Sequence, residues 1–528
     1  MSSRAATYDT EFECFSSIVG PDHVLTDTES CIFYSQDVFT KDIPALAVIL
    51  PGDKYQLAEI VRVAVDKGYD VIPRGGGMSY TSGYVPATNS SVIVDLGRMN
   101  KVLEINEEDM FVTVECGCTW SQLHDALKLK GLRTPFWGSL SGLMATVGGG
   151  LSQNAIFWGS GQFGTAADSL LGLEVVLSDG SIVKTGSGAQ VNGSPFFRHF
   201  GPDLNGLFTC DAGAFGFKAN ATLRLIPQFE SKSFLAFDFK DASDIIAAMS
   251  EIGRLGRAME CVGFDPWLQK QRMKRESLAK DVKSLAAVMR ESGSLTGAIA
   301  DGAQRAMAGR SFMENVDFSL QIMIEDRIDA ATKARSSEVR EICMRQNGKE
   351  IENSIPKLLR ANPFNPLNNM LGPAGERWVP IHAILPHSKV QDAYKGIDEI
   401  VAKHQALIEK HEIRVGHLFA LIANNGFVLE PVFFWPDEIA EIHQYAVEKD
   451  HLARLKRFPK NQEAREAVEI LRKEMLELFG EFGAIHMQIG KSYNYRMGIE
   501  PSTRSLVESL KNAIDPPHKV NPNSLGLD

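Results

Sequence analysis

Residues 73–84 read PRGGGMSYTSGY, and the fold turns on what this stretch does. The apolar VIP before Arg74 has strand composition, so a strand delivers the chain to the three glycines. Glycine takes positive φ and has no Cβ, so backbone amides can approach a ligand closely. A run of such amides forms an anion nest suited to a diphosphate. A plain tight turn reads the same way, so a second feature has to decide.

That feature is residues 145–169, ATVGGGLSQNAIFWGSGQFGTAADS, about seventy residues on. It carries a second glycine triplet, then Gly159, Gly161 and Gly164, then Asp168. Two glycine-rich loops within one α/β region predict one extended ligand with a phosphate portion. The dinucleotide fingerprint is a different pattern, GxGxxG between a first strand and a helix, and no GxxxxGK[ST] P-loop is present.

The surroundings are dense in element signals. PALAVILP (44–51) has strand length, and Asp53 can cap a helix whose apolar face is Leu57, Ile60, Val61 and Ala64, ended near Gly68. SSVIVDLG and FVTVECG are strands rich in β-branched residues. Thr119 and Gln122 suit a capping box for the helix SQLHDALKLK, stopped by Gly131. LEVVLSDGSIVKTG is a hairpin about Asp179-Gly180, and ATLRLIP (221–227) reads as a closing strand.

After Pro227 the character changes. Residues 240–310 read as helix-rich, and the run QKQRMKRESLAKDVKSLAAVMRE reads as a solvated helix face. Strands at 317–325 and 378–385 alternate with further helices, 362–376 is a long Pro/Gly/Asn loop, and 437–482 is charged and helical. The tail DPPHKVNPNSLGLD is turn-rich, and no internal repeat is visible.

The totals set outer bounds. A chain of 528 residues is long enough for two or three domains. The net charge of −11 argues against nucleic acid or an anionic membrane as main partner. No stretch of about 18 unbroken apolar residues exists to span a bilayer. The opening MSSRAATYDTEFECF has no apolar core of a secretory signal. Seven cysteines without a CxxC pair fit a reduced, cytoplasmic protein with buried thiols.

The motifs fall in a particular order: Arg-Gly-Gly-Gly-x-Ser, VIVDLGRMNKVLEINEEDMFVTVECGCTWSQLHDAL, TVGGGLSQNA, FGTAADSLLGLEVVLSDGSIVKTG, then GLFTCDAGAFGFKANATLRLIP. This order resembles the FAD-binding domain of the vanillyl-alcohol oxidase and p-cresol methylhydroxylase superfamily. The tail NAIDPPHKVNPNSLGL resembles that superfamily's C-terminal segment, with Asn523 where glycine is usual. The resemblance implies an α+β fold in which a two-part FAD domain carries an inserted α+β cap, or substrate, domain. The FAD domain would take 1–230, the cap 231–480, and 481–528 would return to the FAD domain. Arg74, Gly75, Gly76, Gly77, Met78 and Ser79 would hold the diphosphate. Thr146, Gly148, Gly149 and Asn154 would hold more of the FAD. Gly216, where the chain departs from the usual GIVT, and Asn521 in the tail complete the implied contacts.

In some branches of the superfamily a histidine follows the glycines and bonds the flavin 8α carbon. Met78 stands there, and a thioether cannot make that bond. In others a cap-domain histidine does so. His417 follows Val-Gly in the matching region, but the aligned position falls nearer Leu421 or Ile422. Noncovalent FAD is therefore expected.

Tyr80 stands six residues past Arg74, where phenol-oxidising relatives carry a tyrosine that meets the substrate phenolate. Their Tyr-Arg pair near the end is absent. Gly483 and Ala484 occupy those places, with His486, Tyr493, Tyr495 and Arg496 nearby. The metal-dependent 2-hydroxy acid dehydrogenases of the superfamily use two histidines seven apart and a glutamate. Here Ile485 stands at the glutamate, and Asn424 lies seven residues past His417, so no metal is expected. His486 is instead a candidate base, with Tyr495 as another. Trp378, His382, Phe433, Phe434 and Trp435 are candidate pocket walls suited to an aromatic substrate, with Arg377 and Arg496 the few cations nearby.

The resemblance thus implies an FAD-dependent oxidoreductase that passes hydride from an aromatic alcohol or side chain, of 4-hydroxyphenyl type, to flavin N5. A D-2-hydroxy acid dehydrogenase is the alternative, and a non-redox FAD-dependent alkyl transferase a third. Dioxygen or an electron-carrier protein would be the acceptor. No nucleic acid or membrane partner is expected, and dimers are common among such relatives, so a homodimer is the implied assembly.

Overall fold

The computed structural model describes residues 12–275 and 316–527. The chain forms two compact units. One comprises Met1–Ile156, Thr165–Gln228 and Met487–Asp528; the other comprises Phe157–Gly164 and Phe229–His486.

The first unit holds two sheets. In the smaller, strands Ala47–Ile49, Ser91–Asp95 and Asp70–Arg74 run parallel, with Val24–Leu25 added antiparallel at the edge. In the larger, Val102–Asn106, Phe111–Glu115, Phe217–Arg224, Leu170–Val176 and Ile182–Lys184 pair antiparallel in that order. The helix Lys54–Asp66 starts where Asp53 accepts hydrogen bonds from the amides of Tyr55 and Gln56. It buries Leu57, Ile60, Val61 and Ala64 as its spacing requires. Those side chains join Val92, Val94, Val176, Phe217 and Val520 in one apolar core. The capping box of Thr119 and Gln122 forms at the head of Trp120–Lys128. The strand read from ATLRLIP lies at the centre of its sheet rather than closing it, because both faces of 217–223 are buried.

The tail contributes no regular strand, as its turn residues demand. A parallel bridge pairs its Val520 with Val71 of the strand Asp70–Arg74. The next turn places Asn521 in a left-handed conformation, φ 44°.

The second unit is an antiparallel sheet with helices. The strand order is Lys349–Glu350, Ser231–Phe239, Phe318–Asp326, Glu260–Phe264, Arg414–Ile422, Gly426–Trp435 and Arg377–Pro380, with Ala383–Leu385 also on Gly426–Trp435. The charged helical reading of 437–482 resolves into Glu441–Ala446, Lys449–Leu452 and the long Gln462–Glu481. The helix-rich reading of 240–310 holds for Ala242–Arg254 and Pro266–Arg275, but the strand Glu260–Phe264 stands between them. The rest of the charged run, from 276, lies outside the described residues. Among the described residues no helix is long and apolar enough to cross a membrane.

The second glycine loop is divided. Its first part, to Ile156, belongs to the first unit, and Phe157–Gly164 belongs to the second. There Gly159 N donates to Glu260 Oε1 at 2.7 Å and Gly161 N to Met259 O at 3.0 Å. A Cβ at Gly161 would stand 2.8 Å from that carbonyl, so this glycine is needed for close packing on a strand.

Candidate functional site

The first loop begins where the strand Asp70–Arg74 ends. The amides of Gly75, Gly76, Gly77, Met78 and Ser79 donate no hydrogen bond to any described residue. Gly77 and Ser79 are buried and the other three half-buried. Sheltered amides in series need an acceptor, and a turn of this kind is shaped to cradle an anion. This row is the feature that a diphosphate fits.

Arg74 supports the loop from beneath. Its Nη1 donates to Asp95 Oδ2 at 2.8 Å and to Gly75 O at 3.2 Å. Its guanidinium lies 4.6 Å from the Tyr34 ring centroid and 5.6 Å from those of Phe33 and Tyr84. A cation held by a carboxylate and aromatic faces acts as a strut. Asp95, which the sequence did not single out, is its counter-charge.

The two glycine loops meet. A Cβ on Gly75 would fall 2.4 Å from Thr146 Oγ1, and one on Gly76 would fall 1.9 Å from Met144 O. Thr146 caps the short helix Val147–Ser152 by accepting from Gly149 N at 3.1 Å. Gly148 donates to Cys116 O at 2.9 Å, and a Cβ there would lie 2.7 Å from Cys116 Cβ. Thr146, Gly148 and Gly149 thus bring the second loop against the first. Asn154 turns the chain out of this helix at φ 50°. A Cβ on Gly216 would stand 2.7 Å from Val175 Cγ1, so that glycine serves strand packing.

The tail closes on the same loop. Buried Asn521 donates from Nδ2 to Gly83 O and to Ala212 O, both at 2.7 Å, and accepts from Lys491 Nζ at 3.2 Å. Its amide is spent inside the protein, so it acts as a clasp. Lys491 Nζ also donates to Val85 O at 2.6 Å, and burial pushes its ammonium down to about 7.

Tyr80 is buried, at 8% exposure. Its hydroxyl accepts from Gln488 Nε2 at 3.0 Å. Gln488 Oε1 accepts from Ser79 Oγ at 3.3 Å, and Ser79 Oγ lies 3.0 Å from Thr81 Oγ1. Sequence reading missed Gln488, because IHMQIGK carries no signal for it except as a failed metal motif.

The other proposed catalytic residues have partners of their own. Arg496 donates to Glu508 Oε1 at 2.7 Å and its side chain is 41% exposed, so it supplies no buried cation. Tyr495 is half-buried, and burial raises its phenol above the ordinary value. It therefore keeps its proton at neutral pH, which suits a donor and not a base. His486 belongs to the second unit. Its Nδ1 lies 2.6 Å from His382 O, so Nδ1 carries the proton. Burial lowers its pKa, so the ring is neutral near pH 7, the form a base needs.

The aromatic run PVFFW is divided by strand alternation. Phe434 stands opposite Trp378 on one face, and Phe433 opposite Val379 on the other. Phe434 packs on Trp267 at 5.0 Å, and Trp435 donates to Asp437 Oδ2 at 3.1 Å. The five aromatic and histidine candidates therefore do not share one wall. Buried His382 is pushed down to about 3 by desolvation and then by His486 and Arg472. His417 lies on the strand Arg414–Ile422, its Nδ1 3.2 Å from Asp265 Oδ2. Among the described residues no group of three or more His, Cys, Asp and Glu side chains is placed to hold a metal ion.

Comparison with known proteins agrees with the loop geometry. Residues 45–186 match the model of the FAD binding domain family. Glycolate oxidase subunit GlcD of Bacillus subtilis is 29% identical over 240 residues, 44% of this chain and 49% of that protein. The mitochondrial D-lactate dehydrogenase [cytochrome] 1 of Saccharomyces cerevisiae is 28% identical over 218 residues, 40% of this chain and 36% of that protein. The chain thus spans half or less of the length of these curated relatives. Among solved structures, p-cresol methylhydroxylase with substrate bound has a TM-score of 0.73 at 17% identity, covering 99% of this chain and 97% of that one. The 4-ethylphenol oxidase of Gulosibacter chungangensis has a TM-score of 0.73 at 18% identity, covering 100% and 98%. Residues 45–186 are an FAD-binding domain, carried in a chain with the fold of the p-cresol methylhydroxylase-type FAD-linked oxidoreductases.

Proposed function

We propose that the protein is an FAD-dependent oxidoreductase acting on an aromatic alcohol or benzylic side chain, one that bears a 4-hydroxyl group. The observation that carries this reading is the buried Tyr80 hydroxyl, held 3.0 Å from Gln488 at the end of the glycine loop. FAD, when bound, supplies the hydride acceptor. The protein's part is to hold it and to orient the substrate. The amides of residues 75–79 take the diphosphate, and the Arg74–Asp95 strut fixes their spacing. Tyr80 donates a hydrogen bond to the substrate's phenol oxygen, which favours its anionic form. The cofactor is held without a covalent bond, since Met78 cannot supply one and the cap-domain linking position aligns nearer Leu421 or Ile422 than His417.

The named relatives favour a second reading, a D-2-hydroxy acid dehydrogenase. Fold alone does not choose, because an alkyldihydroxyacetonephosphate synthase shares it at a TM-score of 0.68. The deciding experiment is anaerobic bleaching of the flavin absorbance with a panel of 4-hydroxybenzylic alcohols, D-lactate and glycolate. Fast bleaching by the phenolic alcohols alone is the expected result. Bleaching by the hydroxy acids alone overturns the reading in favour of the second. Acid precipitation should leave the yellow colour in the supernatant, and a yellow pellet would contradict noncovalent binding.

A further inference from the structure

Beside the larger sheet of the first unit runs a loop whose apolar side chains face water. Residues 186–208, GSGAQVNGSPFFRHFGPDLNGLF, follow the strand Ile182–Lys184. Val191 is 85% exposed, Phe196 55%, Phe197 54%, Phe200 52% and Leu204 48%. Phe208, at the end of the same stretch, is buried. A core is therefore within reach of this segment, and the other five side chains do not enter it.

The loop is fastened in place. Ser187 N donates to Phe197 O at 2.9 Å, and Ser187 Oγ accepts from Phe197 N at 2.9 Å and donates to Ser194 O at 2.7 Å. Between these links Gly193 N donates to Gln190 O at 2.8 Å, which sets Val191 inside a tight turn. Arg198 Nε donates to Asp203 Oδ2 at 3.0 Å and closes a second turn around Phe200. Buried Asn205 donates from Nδ2 to Leu171 O at 3.2 Å and to Arg198 O at 3.4 Å, and accepts from Thr185 Oγ1 at 2.6 Å. Both turns are thereby tied to the strand Leu170–Val176. The Phe196 and Phe197 ring centroids lie 6.2 Å apart, and Phe197 meets His199 edge-on at 6.1 Å. A loop so held cannot fold its rings away from water.

Single apolar residues on a surface are ordinary, but a fixed cluster of this size marks a contact surface. With about 150–250 Å² for a whole phenylalanine, the five side chains offer on the order of 500 Å². One side of a standard interface buries about 800 Å², and a homodimer's is about 65% apolar. The patch thus supplies the apolar share that one side of a stable dimer needs. Charge selects the occupant. In a chain of net charge −11, residues 186–208 hold one arginine, one aspartate and one histidine, with no lysine or glutamate. A membrane-surface anchor would border its aromatic face with Lys and Arg, and a charged partner would need a net charge to meet. Here Arg198 and Asp203 offset each other. A neutral patch with one cation and one anion is complementary to itself about a two-fold axis. We propose that Val191, Phe196, Phe197, Phe200 and Leu204 form the surface through which two copies of this chain pair.

Sedimentation velocity of the full-length, FAD-loaded protein over a wide concentration range is the test. Wild type should reach twice the monomer mass. Phe196→Asp with Phe200→Asp puts like charges on both sides of the contact and should raise the dimer dissociation constant about a hundredfold or more. Phe196→Ser with Phe200→Ser removes the rings without adding charge, should raise it about tenfold, and serves if the charged variant does not fold. Leu129→Asp, at an 88% exposed side chain on the end of another helix, should leave the mass unchanged. Hydrogen exchange needs no variant: backbone amides of 190–204 should exchange several-fold more slowly as wild type is concentrated.

A wild type that stays monomeric at every concentration overturns the proposal, as does unchanged exchange over 190–204 when it dimerises. A folded serine variant that pairs as wild type does overturns it as well. Loss of the dimer in Leu129→Asp would show an effect of charge alone, against this patch. Co-sedimentation of wild type with vesicles of phosphatidylcholine and phosphatidylserine, lost in the serine variant, would give the patch to a membrane and overturn pairing through it.

Discussion

Gly76 lies directly against Met144: a Cβ on the glycine would stand 1.9 Å from the Met144 carbonyl oxygen. Two loops far apart in sequence share one surface here, and neither backbone can withdraw without moving a strand or a helix. Gly76→Ala should therefore disturb the amide row itself. We expect a loss of about 1–3 kcal/mol in stability from the forced shift and a flavin-to-protein ratio well below that of wild type. Measured absorbance ratios and denaturant midpoints check this. A variant with full FAD content and unchanged midpoint would show that the loops do not need this contact.

Arg74 and Asp95 form a pair at 2.8 Å with side chains 6% and 8% exposed. Removing one partner strands the other charge out of water. Asp95→Asn should cost about 3–5 kcal/mol, read as a shift in urea midpoint at pH 7.5. The double change Arg74→Met with Asp95→Leu should recover much of that stability while FAD affinity stays low. Recovery of both would mean that the strut has no part in shaping the loop.

Asn521 holds the tail by three side-chain hydrogen bonds, to Gly83, Ala212 and Lys491. Its φ of 44° makes Asn521→Gly the cleaner test, since glycine keeps the backbone relaxed and removes only the amide. With about 1 kcal/mol per hydrogen bond, a loss of roughly 2–3 kcal/mol is expected, with faster proteolysis after residue 514. If Tm falls by less than one degree, the clasp is not holding the tail.

Acid should destabilise the second unit before carboxylates titrate. His382 is pushed down to about 3, while His443 and His486 are lowered by burial as well. Their unfolded-state value is about 6.5. The unfolded chain therefore binds more protons once pH drops below that value. Stability is complete above about pH 6.5 and declines as pH falls toward the folded values, by about 1.4 kcal/mol per pH unit for each group that stays neutral in the fold. Urea midpoints between pH 7.5 and 5 test the slope. His382→Leu should flatten it by one group's share, and an unchanged slope would remove His382 as a contributor.

Much of this was legible in the sequence. The cap at Asp53, the box at Thr119 and Gln122, and the apolar spacing of 57–64 are local signals, set within a turn or two of chain. The glycine triplets, and the order of the motifs around them, were enough for the FAD-binding domain and its fold. Met78 ruled out one covalent bond by chemistry alone, which needs no coordinates. What lay beyond reach were relationships between residues distant in the chain. Alternation along Gly426–Trp435 separated Phe433 from Phe434, which the apolar run PVFFW presents as one block. Arg496, a free cation on paper, found Glu508. Asn521 had the residue type of a ligand contact, yet its amide was consumed by two backbone carbonyls. The tertiary structure alone decided that Gln488 meets Tyr80, because a hydrogen bond needs its two groups within about 3 Å and that proximity is set by how the tail packs, not by any periodicity a reader of the chain can see.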